Sequence, residues 1–169
     1  MTDYIGVIIE EFEKIRDIPY RIALSPDEIS DDCLGKAKRL LEIFNKYGYE
    51  ARYRVCKIRW SSLNLPKEIA NLPHSDGCSH TYLEVFIGDK WVIVDPTWDK
   101  GLKAIFHINE WDGKSDNEIA IIPLETLSPE ESSEHIRNIT TRETIIADLE
   151  ESGKFYEAFN NWLDKIRKA

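Results

Sequence analysis

The chain has 169 residues, of which 42 % are hydrophobic and 31 % charged, and it carries a formal net charge of −9. That balance excludes an intrinsically disordered chain, and no apolar run approaches the ~18 residues of a membrane-spanning helix. A surface this acidic repels phosphate backbones and anionic headgroups, so neither nucleic acid nor a membrane is expected as a partner. The N-terminal Met1-Thr2-Asp3 leads straight into charged amphipathic sequence with no basic-then-apolar leader, which makes a cytoplasmic location the expectation. An odd set of three cysteines, Cys33, Cys56 and Cys78, argues against a disulfide framework, so each thiol needs its own explanation.

Along the chain, Ile5, Ile8, Ile9, Phe12 and Ile15 mark one face of a first helix, with Thr2 available as its N-cap and Pro19 beyond its end. Ser30-Asp31-Asp32 offers capping oxygens and negative charge for a second helix. Its stripe runs through Cys33, Ala37, Leu40, Leu41 and Phe44, and Gly48 supplies the left-handed turn that ends it. Residues 51–60 read as a strand and 61–79 as a long irregular connection of the kind that forms lids and binding walls. Two further strands, 80–87 and 91–94, are joined at Gly88-Asp89, a strong hairpin signal. A short strand at 118–122, a helix near 129–137 and an amphipathic helix through Phe155, Phe159, Trp162, Leu163 and Ile166 complete the reading. No repeat or linker divides the chain, so residues 1–169 are expected to form one α+β domain with the second helix packed on an antiparallel sheet.

Three residues gain chemical meaning from context. Cys33 falls in the first turn of a helix, where unpaired N–H groups and the dipole favour the nucleophilic thiolate. His80 opens one hairpin strand and Asp95 closes the other. A two-residue turn at Gly88-Asp89 puts Asp95 opposite Tyr82, and His80 opposite Thr97. His80, Tyr82 and Asp95 then share a face, with His80 and Asp95 as diagonal neighbours about 7–8 Å apart at Cβ, within reach of a hydrogen bond. The other face carries Leu83, Val85, Ile87, Val92 and Val94, an apolar layer suited to the Cys33 helix. Glu84 reads as solvated surface.

The stretch Cys33-Leu-Gly-Lys-Ala37, Leu40-Leu41, Gly48-Tyr-Glu-Ala51-Arg52 resembles the nucleophile helix of the transglutaminase-like superfamily and its lead into a strand. His80-Thr-Tyr-Leu-Glu-Val85 followed by Trp91-Val-Ile-Val-Asp95-Pro-Thr97 resembles that superfamily's second signature. The resemblance covers roughly residues 31–99. It implies a papain-like α+β fold and a Cys33–His80–Asp95 triad acting on peptide or protein amide bonds through a thioester, with no cofactor. Two departures stand out: Asp32 occupies the position before the nucleophile, often glycine in the family, and the chain contains no glutamine to donate to an oxyanion. Tyr20 is the candidate second donor beside the Cys33 N–H, Tyr82 a candidate neighbour of the site, and Trp98 either packing or a cleft wall.

Other readings stand beside this one. On its own Cys33 would be a core thiol and His80 a satisfied strand histidine. Cys56 reads as core, and Cys78 as an idle or redox-sensitive loop thiol. A fold of this kind can also hold a peptide without cleaving it, a reading that the Asp31-Asp32 pair and the absent glutamine favour. His74, Cys78 and His80 supply metal-ligand types but lack the spacing of known zinc sites. Specificity is expected to lie in residues 61–79 and the C-terminal third.

Overall fold

The computed structural model describes residues 3–169, so the expected Thr2 cap lies outside the described residues. Helix α1 spans Ile5–Arg16 and α2 Cys33–Lys46. Strand β1 (Ala51–Arg59) leads through a 3-10 turn (Trp60–Leu63) and a single helical turn, α3 (Lys67–Ala70), into β2 (Gly77–Ile87). Strand β3 (Lys90–Val94), a 3-10 turn (Lys100–Leu102), β4 (Glu125–Thr126), α4 (Pro129–Ile139) and α5 (Arg142–Lys168) follow. The strands form one antiparallel sheet in the order β3-β2-β1-β4. The α+β class is as expected.

The hairpin is built as its turn residues dictate. Gly88 and Asp89 both have positive φ (56° and 67°), the conformation whose twist matches a two-residue connection. Leu83 therefore pairs with Val94 and Val85 with Val92, the expected register. Alternation then sorts the sheet into two apolar layers. Leu83, Val85, Val92 and Val94 meet Ala37, Leu40 and Phe44 of α2 and Ile8 and Phe12 of α1. Cys56, Ile58 and Tyr82 meet Trp98 and the Phe155, Phe159 and Leu163 stripe of α5.

Three expectations need correction. No strand forms at 118–122, because its backbone groups are taken by side chains: Ala120 N–H donates to Asp95, the Ala120 carbonyl accepts from Trp98, and the Glu118 carbonyl accepts from Asn109. The short strand lies instead at β4, on the free edge of β1. Helix α5 starts well before Phe155, at Arg142 behind the Thr141 cap, since its first turns are polar and mostly exposed and leave no apolar stripe to read. Glu84 is buried rather than solvated, held between Arg52 (2.7 Å) and Arg54 (2.6 Å) from β1.

One tie fixes the C-terminal helix to the rest. Arg167 grips Asp99 through Nε and a terminal nitrogen (3.1 and 2.8 Å) and also donates to the Tyr20 carbonyl, while Asp99 accepts the Tyr20 N–H. Burial works against the Asp99 charge, but Arg167 outweighs it and holds the carboxyl below its ordinary pKa. Removing one partner of such a buried pair typically costs 3–5 kcal/mol. Arg167→Ala is expected to lower the unfolding free energy by about 3 kcal/mol at neutral pH. Because the folded-state pKa of Asp99 is depressed, the difference should be full above its unfolded value near ~4 and shrink as pH falls through the folded one. Denaturant titrations at several pH values check this, and a loss below about 0.5 kcal/mol contradicts it.

Candidate active site

Cys33 is the first residue of α2, and its N-cap is Asp32, whose Oδ1 accepts the Gly35 N–H at 2.9 Å. Gly35 is required here, because a Cβ at that position would run into the Ser30 carbonyl. The body of α2 packs on the Leu83 and Val85 face, and its N-terminus reaches the part of β2 that β3 no longer covers. Strand β3 ends at Val94, before Asp95-Pro96, while β2 continues back to Gly77. The Thr81 N–H in this uncovered stretch interacts with the Cys33 sulfur.

His80, 1 % exposed, donates through Nε2 to Asp95 Oδ2 at 2.8 Å. Asp95 is fully buried, and its carboxylate is saturated: Oδ2 also accepts the Ala120 N–H, and Oδ1 accepts the Thr97 N–H and hydroxyl. Burial opposes its charge, but His80, Thr97 and Ala120 prevail and hold the carboxyl below its usual pKa. Its backbone is fixed as well, by the Asn117 side-chain oxygen and the Asn109 amide.

The other ring nitrogen, Nδ1, is buried and completes no hydrogen bond of ordinary geometry. The Cys33 thiol is nevertheless close enough that the two groups favour each other's charged forms. Burial disfavours the imidazolium, yet Asp95 and then Cys33 overcome this and push the His80 pKa up to about 10. For Cys33 burial wins. The thiol is raised above its ordinary value, His80 pulling it down and Asp32 pushing it up. Asp32 is itself raised by burial.

Cys33 and His80 open into a cleft of about 1050 Å³. Its walls come from residues 20–35, the ends of β1 and β2, Ile121 and Leu124, and the facing ends of α4 and α5. Of the 61–79 connection expected to wall the site, only Gly77, Cys78 and Ser79 line the cleft, and the loop before α2 and the C-terminal helices supply most of the rest. Tyr20 lies in the cleft wall, and its hydroxyl, raised well above its usual pKa by burial and then by Cys33, has no hydrogen-bond partner among the described residues.

The remaining expectations divide. Tyr82 is buried and stacks beside His80, with ring centroids 6.2 Å apart, but it does not line the cleft. Trp98 is not a cleft wall either: its ring stacks on Phe106 at 4.0 Å and its N–H is spent on Ala120. Cys56 is core, with burial pushing its thiol up to about 12. Cys78 shares the cleft with Cys33, and burial raises its thiol to about 11. His74 stacks on Phe155 and bonds the Leu72 carbonyl, so it does not join Cys78 and His80, and no group of three potential metal ligands exists among the described residues. Sequence reasoning missed Thr97, Asn109, Asn117 and Ala120 as supports of Asp95. Only Thr97, two residues after the acid, carried a local signal, since such a residue readily bonds the preceding aspartate. No family model, curated protein or solved structure matches the chain.

Asp32→Asn keeps an equally good cap but removes the charge beside the sulfur. The pH profile of Cys33 alkylation by iodoacetamide is expected to move to lower pH in this variant and to higher pH in His80→Ala. An unmoved profile in both would contradict the electrostatics described here.

Proposed function

We propose that the chain is a transglutaminase-like cysteine hydrolase that cleaves amide bonds of peptides or proteins through a Cys33 thioester. The observation that carries this reading is the buried His80 ring, anchored by Asp95 through Nε2 and unpaired at Nδ1, beside the Cys33 thiol at the edge of a large cleft. A buried polar atom without a partner is rare and costly, and a base that must take and return a proton is one place where it is useful.

The steps follow from the tautomer. His80, raised to about 10, carries both ring protons at rest, so the reactive form is the one in which the Cys33–His80 pair has lost one proton. With Nε2–H donated to Asp95, Nδ1 in that form accepts the thiol proton as sulfur attacks the carbonyl carbon. The imidazolium so formed is stabilised by Asp95. Negative charge on the carbonyl oxygen falls to the Cys33 N–H, which has no intrahelical partner at the first helical position, and to the unpaired Tyr20 hydroxyl. The C–N bond then breaks, and Nδ1–H passes its proton to the leaving amine. Water, deprotonated by the same nitrogen, releases the acid and restores the thiol. A cleft of mainly apolar walls with a few convergent polar groups suits a peptide segment. A second amine in place of water would give acyl transfer by the same chemistry.

A non-catalytic peptide-binding role is the second reading, favoured by the raised Cys33 thiol and the adjacent Asp32. Incubation with a mixture of capped peptide amides, followed by mass spectrometry, separates the two. Hydrolysis is expected in the wild type, loss in Cys33→Ala and His80→Ala, and a fall on the order of 10³-fold or more in Asp95→Asn. Turnover that survives in Cys33→Ala, or tight binding of intact peptides without cleavage, would overturn the hydrolase reading.

A further inference from the structure

Two cations lie fully buried beside the site, and nothing in the reaction just described uses them. Lys36, one turn after Cys33 on α2, donates from Nζ to the Arg16 carbonyl at 2.7 Å and to the Thr97 carbonyl at 2.9 Å. Arg16, the last residue of α1, donates through its guanidinium to the Asn109 carbonyl at 2.9 Å and to the Asp17 carboxylate. The Asn109 amide in turn donates to the Asp95 carbonyl at 2.9 Å. Thr97 is the residue whose N–H and hydroxyl hold Asp95 Oδ1.

We propose that Lys36, braced by Arg16, is a positioning residue: it locks the turn bearing Asp95 to the helix bearing Cys33, and so sets how the imidazole meets the thiol. This rests on the hydrolase reading for its purpose, though not for its test. One rigid helix presents the sulfur at its first position and grips the turn of the acid from its fourth. The second hold on that turn runs through Asn109 from α1. Asp95 is thereby held at its side chain through Thr97 and at its backbone through Asn109, both connected to the pair of helices that carry the nucleophile.

An apolar side chain of similar length would fill the same space without the cost of desolvating an ammonium group. The ammonium sits where two carbonyls from different segments converge, a geometry no apolar residue can hold. Burial lowers the Lys36 pKa to about 8, so part of the population loses its charge slightly above neutrality. A neutral amine still has two N–H groups for two carbonyls, so this titration leaves the strut in place.

The test is the His80 ring titration, followed by NMR in labelled protein, in wild type and in Lys36→Met. Deleting a cation by itself would raise the ring's pKa, since a positive charge nearby opposes the imidazolium. Releasing Asp95 would lower it. In Lys36→Met the ring is expected to titrate at least one unit below the wild type, with Cys33 alkylation at neutral pH slowed by about tenfold or more. Should the Met variant fail to fold, Lys36→Gln, which keeps an amide donor on a shorter stem, is read in the same way with a smaller shift. A folded variant whose ring titrates where the wild type does, or higher, overturns the proposal. A wild type that hydrolyses no amide would overturn the proposed function instead and leave the titration difference standing.

Discussion

The hydrogen bond between His80 Nε2 and Asp95, sealed from water on both sides, is the constraint on which the candidate site depends. Such a pair is stable only if the carboxylate is otherwise satisfied, because a buried charge with free lone pairs is costly. Thr97 and Ala120 complete the acid's acceptors. The remaining unsatisfied atom is His80 Nδ1, the one ring nitrogen left free for the neighbouring Cys33 thiol. What the segment after β3 gives up as a possible strand, it supplies as donors to the acid and as an acceptor for Trp98.

The electrostatics at Cys33 pull in two directions. The helix start, the Thr81 N–H and the imidazole favour the thiolate, while burial and the Asp32 cap oppose it. Burial is the largest effect, so the resting sulfur is held as a thiol above its ordinary pKa. The Cys33–His80 pair must therefore lose one proton before sulfur attacks, since the thiolate is the nucleophile, and an Nδ1 without a competing partner leaves the ring able to take the thiol proton.

Much of this geometry was legible because it is local. Gly88-Asp89 fixes a two-residue turn, the turn fixes the register, and alternation then puts His80 and Asp95 on one face with Leu83 and Val94 on the other. Ser30-Asp31-Asp32 and the stripe behind Cys33 located the helix that begins at Cys33 for similar reasons. What escaped depends on contacts between distant segments. Residues 118–122 look like a strand until Asp95, Asn109 and Trp98 claim their backbone groups. Glu84 looks solvated until Arg52 and Arg54 on the neighbouring strand are placed beside it. Lys36 looks like any surface lysine on an amphipathic helix, and only the convergence of the Arg16 and Thr97 carbonyls makes its burial possible. The cleft walls were placed only in part: residues 77–79 and the C-terminal third do line it, but nothing in residues 61–76 announces that they fold into short helical turns outside it, and nothing marks the loop before α2 as a wall.

The central claim is that the Cys33 sulfur takes up an acyl group with His80 as its base. The most direct measurement exposes the protein to the p-nitrophenyl ester of an N-acetylated apolar amino acid, quenches in acid and maps the added mass by tandem mass spectrometry. The account predicts one acyl group, on Cys33, formed rapidly in the wild type and lost in His80→Ala. Acyl groups confined to surface lysines, or appearing on Cys78 while Cys33 stays unmodified, would contradict it.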